Sequence, residues 1–156
     1  MTITIIQMVI FLLYVGFITY KFGILASISD SWYELKPLKL GFLFTLFCWT
    51  IGFLLVSYTE QTDSPFFFFS GAGLCFVGVA TAFKIKKTTE RSVHIIGASI
   101  CILSALIGLW IDFHLWYFLP LFLLCYLILK LLKIKNLIWW VEISAFVLVL
   151  IGLLIK

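Results

Sequence analysis

Six apolar runs divide the chain, at residues 3–22, 40–58, 65–83, 94–111, 114–132 and 137–155. A bilayer core is crossed by about 20 apolar residues in a helix. Membrane barrels instead alternate apolar and polar positions in segments of about 10 residues. These runs are continuous, so the pattern predicts an all-α fold. The expected architecture is a polytopic transmembrane bundle of six helices, with residues 1–156 as a single transmembrane domain. Local signals mark the boundaries. Asp63-Ser64-Pro65 offers a cap followed by proline at the first helical position. Asn136 is placed to cap the sixth helix, and Ser92 the fourth. Asp112-Phe113-His114 leaves room only for a tight turn, which makes helices four and five an antiparallel hairpin.

The longest polar interruption is "ILASISDSWYELKPLKLG", residues 24–41. Ser31 and Glu34 have the spacing of a capping box, and Pro37 would end the helix they start. The simplest expectation is a short helix lying in the membrane interface. The alternative is a polar pocket in which Ser27, Ser29 and Asp30 meet a headgroup or small solute.

Composition supports a lipid solvent. The chain is 64% hydrophobic and 12% charged, against about 25% charged in ordinary globular chains. The net charge of +4 is dispersed over short loops, so no nucleic-acid partner is expected. Its distribution is ordered. Lys21, Lys36 and Lys39 flank the first loop. Lys84, Lys86, Lys87 and Arg91 fill the third, and Lys130, Lys133 and Lys135 the fifth. The second and fourth loops hold Glu60, Asp63 and Asp112 instead. The positive-inside rule then puts the odd loops in the cytoplasm and both termini outside, in a bacterial inner membrane. Trp110, Trp116, Tyr117 and Tyr58 would form an outer aromatic belt, and Trp32, Tyr33, Trp139 and Trp140 an inner one. The first run lacks a basic leader and exceeds the roughly 7 to 15 apolar residues of a signal peptide, so it is expected to stay as a helix.

Cys48, Cys75, Cys101 and Cys125 each fall in a different run, without metal or disulfide spacing. They read as small packing residues; no metal and no cofactor is expected. In lipid, small residues mark close helix contacts. Gly71, Cys75, Gly78 and Ala82 line one face of the third span. Gly97, Cys101, Ala105 and Gly108 line one face of the fourth. The expectation is that these two stripes meet, with a subunit contact in a homo-oligomer as the alternative use.

Three ionisable positions are candidates for chemistry. His94 opens the fourth span on the side of the serine-rich loop, within conceivable reach of Asp30. Such a pair would orient the imidazole, although a solvated helix-start histidine is the commoner case. Glu142 lies one and a half turns into the sixth span. Carboxylates inside spans are costly and mark function or ion pairs, here with Lys133 or Lys135. Asp112 and His114 fit a turn better than a metal site. Gln7, Thr45 and Thr50 are candidates for polar glue between helices. The basic loop "KIKKTTER" could hold anionic lipid at roughly 1 kcal/mol per basic residue, but topology alone accounts for it.

The segment "GAGLCFVGVATAFKIKKTTERSVHIIGASICIL" resembles one found in bacterial six-helix membrane proteins of the FRAG/DRAM-like group. Gly71, Gly73, Gly78, His94, Gly97 and Ala98 carry the resemblance. The "GILASISDSWYEL" stretch is similar to that group's serine-rich loop. Where members of the group have proline near the end of helix three, this chain has Ala82-Phe83. The resemblance implies a six-helix fold. It implies no reaction, and inclines the expected ligand towards lipid through relatives tied to lipid-anchor remodelling.

Taken together, the expected function is binding of a lipid headgroup or small solute at a cytoplasm-facing cluster of Ser27, Ser29, Asp30, His94 and Glu142. Membrane lipids are the expected partners, and no catalytic residue is assigned. The alternatives are an oligomeric channel gated by an anionic signal and an intramembrane lipid hydrolase.

Overall fold

The computed structural model describes residues 1–80 and 87–156, without the side chains of 87–91. Among the described residues the chain is all-helical: α1 (Thr2–Phe22), α2 (Ser31–Leu35), α3 (Phe42–Val56), α4 (Phe66–Ala80), α5 (Lys87–Phe113), α6 (Phe118–Leu131) and α7 (Leu137–Ile155). Short 3-10 turns follow α2 at Lys36–Leu38 and α3 at Ser57–Gln61. Four segments are long and apolar enough to cross a membrane: Thr2–Phe22, Phe42–Gln61, Ser92–Phe113 and Leu137–Ile155. Phe66–Ala80 and Phe118–Leu131 are shorter apolar helices. Large apolar side chains such as Leu13, Phe53, Phe76 and Leu131 face outward. A soluble fold would bury them; here they form the surface a membrane solvates.

Helix α4 lies between α3 and α5, α1 packs on α3 and α7, and α7 approaches α5. These five helices form a ring. Helix α6 sits outside it against α7 and α5, and Phe118 is its buried residue. The two chain ends share one end of the bundle. There the Thr4 hydroxyl is bonded to the Tyr58 hydroxyl at 2.5 Å, and Thr4 also donates to Leu153 O. The Lys156 ammonium donates to Gln61 Oε1 at 2.7 Å and sits over the Tyr58 and Phe113 rings. The serine-rich turn lies at the opposite end.

One of the two small-residue stripes has a different partner from the one expected. A Cβ on Gly52 of α3 would stand 2.8 Å from Gly71 O and from the Cys75 sulfur. One on Gly78 would stand 2.8 Å from the Cys48 Cβ. The Gly71-Cys75-Gly78 stripe therefore faces α3, where Thr45 also donates to Gly78 O at 2.9 Å. The Gly97-Cys101 stripe of α5 does face α4, but meets another side of it. A Cβ on Gly73 would lie 2.7 Å from Gly97 O, and Ser70 donates to Cys101 O at 2.9 Å. Helix α4 is thus gripped on two faces. A stripe of small residues signals a close backbone, not which backbone. Ala82, Lys84 and Lys86 lie outside the described residues, as do the side chains of Lys87 and Arg91.

Several boundaries also move. Helix α5 begins at Lys87, so Ser92 is inside a helix and is not its cap. Polar residues can extend a helix beyond the lipid; polarity marks the water boundary, not the helix end. Asn136 stands at the N-cap position of α7 with φ 60° and makes no side-chain cap bond. Ser31 and Glu34 form no capping box, because α2 has no side-chain cap. The hairpin turn after α5 runs through His114, at φ 58°, to α6 at Phe118.

Candidate functional site

The expected short helix is α2, and the serine-rich turn precedes it. The turn tucks into the bundle against the start of α7. A helix start leaves its first backbone N–H groups unpaired, and the turn supplies partners. Trp139 N–H donates to Ala26 O at 3.1 Å, and Asn136 Nδ2 donates to Ile24 O at 2.9 Å. This explains why Asn136 does not cap its own helix. Trp139, expected in an interfacial belt, is buried, as is Ile28 of the turn.

Ile28 is held from both sides. Its N–H donates to Glu142 Oε2 at 2.6 Å. Its carbonyl accepts from the Ser31 hydroxyl at 2.5 Å. Since that proton is committed, the Tyr14 hydroxyl is the donor in its 2.6 Å bond to Ser31 Oγ. A chain of bonds thus runs from α1 through the turn to α7. Within the turn, Ser27 Oγ accepts from Asp30 N–H at 3.2 Å and pairs with Ser29 Oγ at 2.8 Å. The partner of Glu142 is therefore a backbone amide, not the expected Lys133 or Lys135.

Behind the turn a narrow crevice opens between the helices. Ser29 and Glu142 form its polar rim. Phe47, Cys48, Cys101 and Phe146 are among its apolar walls. Tyr14 stacks on Phe47 with ring centroids 4.2 Å apart, which fixes that wall. Glu142 is five residues into α7, so the rim lies about 7 to 8 Å below the helix start at 1.5 Å per residue.

The expected cluster is partly assembled. Ser29 and Glu142 share the crevice, and Asp30 stands beside them. Ser27 is buried and serves the turn itself. His94 is one turn before Ala98 on α5, and Ala98 lines the crevice; the helical repeat puts both on one face. Sequence reasoning missed the Ile28 amide, since nothing local shows that a carboxylate 114 residues away will accept from it. It assigned Cys101 and Ala105 to packing alone, whereas both also line internal space. Among the described residues no group of three or more His, Cys, Asp or Glu could hold a metal. The four cysteines are free thiols.

Comparison with protein-family models, with curated proteins and with solved structures finds no match to this chain.

Proposed function

We propose that this protein is a membrane-embedded binding protein that takes an amphipathic lipid through its basic end. The headgroup meets Ser29, Asp30 and Glu142, and the chain lies between Phe47 and Phe146. The observation that carries this reading is one crevice with a carboxylate and a hydroxyl at its rim and hydrocarbon along its walls. Two carboxylates with serine hydroxyls attract an ammonium or hydroxyl-bearing headgroup and repel a second anion. His94, on the crevice face of α5, stands where it can bond a headgroup phosphate. The positive-inside pattern puts this opening on the cytoplasmic side, in the inner leaflet. The resemblance to the FRAG/DRAM-like group favours lipid over a water-soluble solute in the same way. The apolar walls speak against the channel alternative, because a hydrated ion path needs polar lining.

The test is a headgroup panel. The purified chain would be titrated with short-chain phosphatidylethanolamine and phosphatidylglycerol, wild type against Glu142→Gln and an Asp30→Ala/His94→Ala double variant. Glu142→Gln keeps the hydrogen bond from Ile28 N–H and removes the charge. Its expected effect is roughly tenfold weaker ethanolamine binding, the size of one charge-assisted contact, with no change for the glycerol lipid. Equal binding by all three proteins would show that the cluster is only structural.

A further inference from the structure

A second, partly open chamber lies deeper in the bundle, and meets the crevice at Cys101, Ile102 and Phe146. Its walls come from α1, α3, α4, α5 and α7, and are almost wholly hydrocarbon: Ile51, Leu55, Ala145, Val149 and Leu150 among them. Two polar side chains, Gln7 and Ser70, break that pattern. Gln7 of α1 lines the chamber, is 0% exposed, and neither Nε2 nor Oε1 has a hydrogen-bond partner. Two other buried polar side chains beside it are satisfied. Thr4, one turn earlier on the same face, pairs with Tyr58. Ser70, across the chamber, donates to Cys101 O. Buried amides are nearly always paired, and in a bilayer an unpaired one cannot fall back on water. Gln7 was expected to be glue between helices; Thr45 plays that part, and Gln7 bonds nothing across the bundle.

We propose that this chamber is a binding site for an uncharged apolar molecule carrying one group that both donates and accepts hydrogen bonds, held by the Gln7 amide. Both ends of the amide lack partners, so the ligand must accept from Nε2 and donate to Oε1. A hydroxyl or a primary amide does both. An ester, ether or ketone only accepts, and would leave Oε1 unpaired. A hydrocarbon chain would leave both. A cation is excluded by the walls, since a hard cation takes about six oxygen ligands. The site thus takes the hydroxyl or amide end of a slender chain, whose remainder would continue past Cys101, Ile102 and Phe146 into the crevice. It does not depend on the headgroup reading, because Glu142 and Ser29 are not among its walls.

The experiment uses four probes of similar length: decanol, decanamide, decyl methyl ether and decane. Each is titrated into the detergent-purified full chain, with binding followed by native mass spectrometry and thermal melting. Wild type is expected to bind the alcohol and the amide roughly tenfold more tightly than the ether and the alkane, the size of one satisfied buried hydrogen bond. Which of decanol and decanamide binds better separates an alcohol ligand from an amide one. Gln7→Leu is close in shape and removes both unpaired atoms. It is expected to melt at or above the wild-type temperature and to bind all four probes equally. Gln7→Met serves as a second variant with the same expectation. Glu142→Gln is expected to keep the wild-type preference. Equal binding of the four probes by wild type, or binding of none, would overturn the proposal, as would a Gln7→Leu or Gln7→Met protein that retains the preference. A chamber that holds only water gives the second of these results.

Discussion

Helices α3, α4 and α5 meet backbone to backbone, whereas α5 and α7 touch closely at Leu109 and Gly152 and border internal space along the rest of their contact. Glycines crowd the first region. Gly52, Gly71, Gly73, Gly78 and Gly97 let carbonyls and Cα atoms touch, which is how helices associate when lipid supplies no hydrophobic drive. The internal space between α5 and α7 is bordered by Ile102, Phe146 and Val149, by the polar Glu142, and by the small Ala98, Ala105 and Ala145. The serine-rich turn closes it from one end. The close-packed side acts as a scaffold. The open side is where the proposed ligands would sit.

The largest expected effect is on the scaffold. Gly71→Val drives a branched side chain into Gly52 O and Val56, and Gly73→Val drives one into Gly97 O and Cys101 N. Neither obstacle is a side-chain tip that can swing away, so each is expected to lose about 3 kcal/mol, the upper range of overpacking. Melting in detergent checks this. A loss below about 1 kcal/mol would mean that the α3–α4–α5 contacts are looser than described.

A smaller effect is expected where the turn is clamped. Tyr14→Phe removes the donor to Ser31 Oγ and leaves the Ser31–Ile28 bond in place. The expected loss is about 1 kcal/mol, the net worth of one hydrogen bond, with faster hydrogen exchange at the Ile28 amide. Unchanged exchange there would show that the turn is held without α1.

Thr45→Val deletes the bond to Gly78 O, and is expected to cost about 0.6 kcal/mol, as interhelical hydrogen bonds in membranes do on average. At the bottom of the scale is Gly16→Ala. Nothing lies within 4 Å of a Cβ at Gly16, and alanine is the better helix former by about 1 kcal/mol. Its expected effect is neutral or stabilising. A marked loss would place an unseen neighbour, such as a second subunit, against that face of α1.

The positions of the helices were legible because apolar runs and charged punctuation obey the bilayer. The run at 137–155 coincides with α7 (Leu137–Ile155), and the run at 3–22 differs from α1 by one residue. What escaped were long-range choices. Glu142 was visible as a costly carboxylate, but its partner lies on a turn more than a hundred residues earlier, and lysines closer in sequence looked like better candidates. The glycines announced close approach without naming the opposite helix, so the α4 stripe was assigned to α5 when it serves α3. Gln7 was legible as a polar residue in an apolar helix. That it lacks a partner follows only from the arrangement of five helices around it. The serine-rich stretch was ambiguous for a local reason: Ser, Asp and Pro form caps, turns and pockets alike.

The account rests on the open side admitting a lipid. Photo-crosslinking with a diazirine-bearing phosphatidylethanolamine in vesicles tests this most directly, with adducts mapped by peptide mass spectrometry. Adducts are expected on the crevice walls, at Phe47, Ala98, Ile102 and Phe146, and are expected to fall when Glu142 is changed to Gln. Adducts confined to the outward residues Leu13, Phe53, Phe76 and Leu131, unchanged in Glu142→Gln, would contradict it.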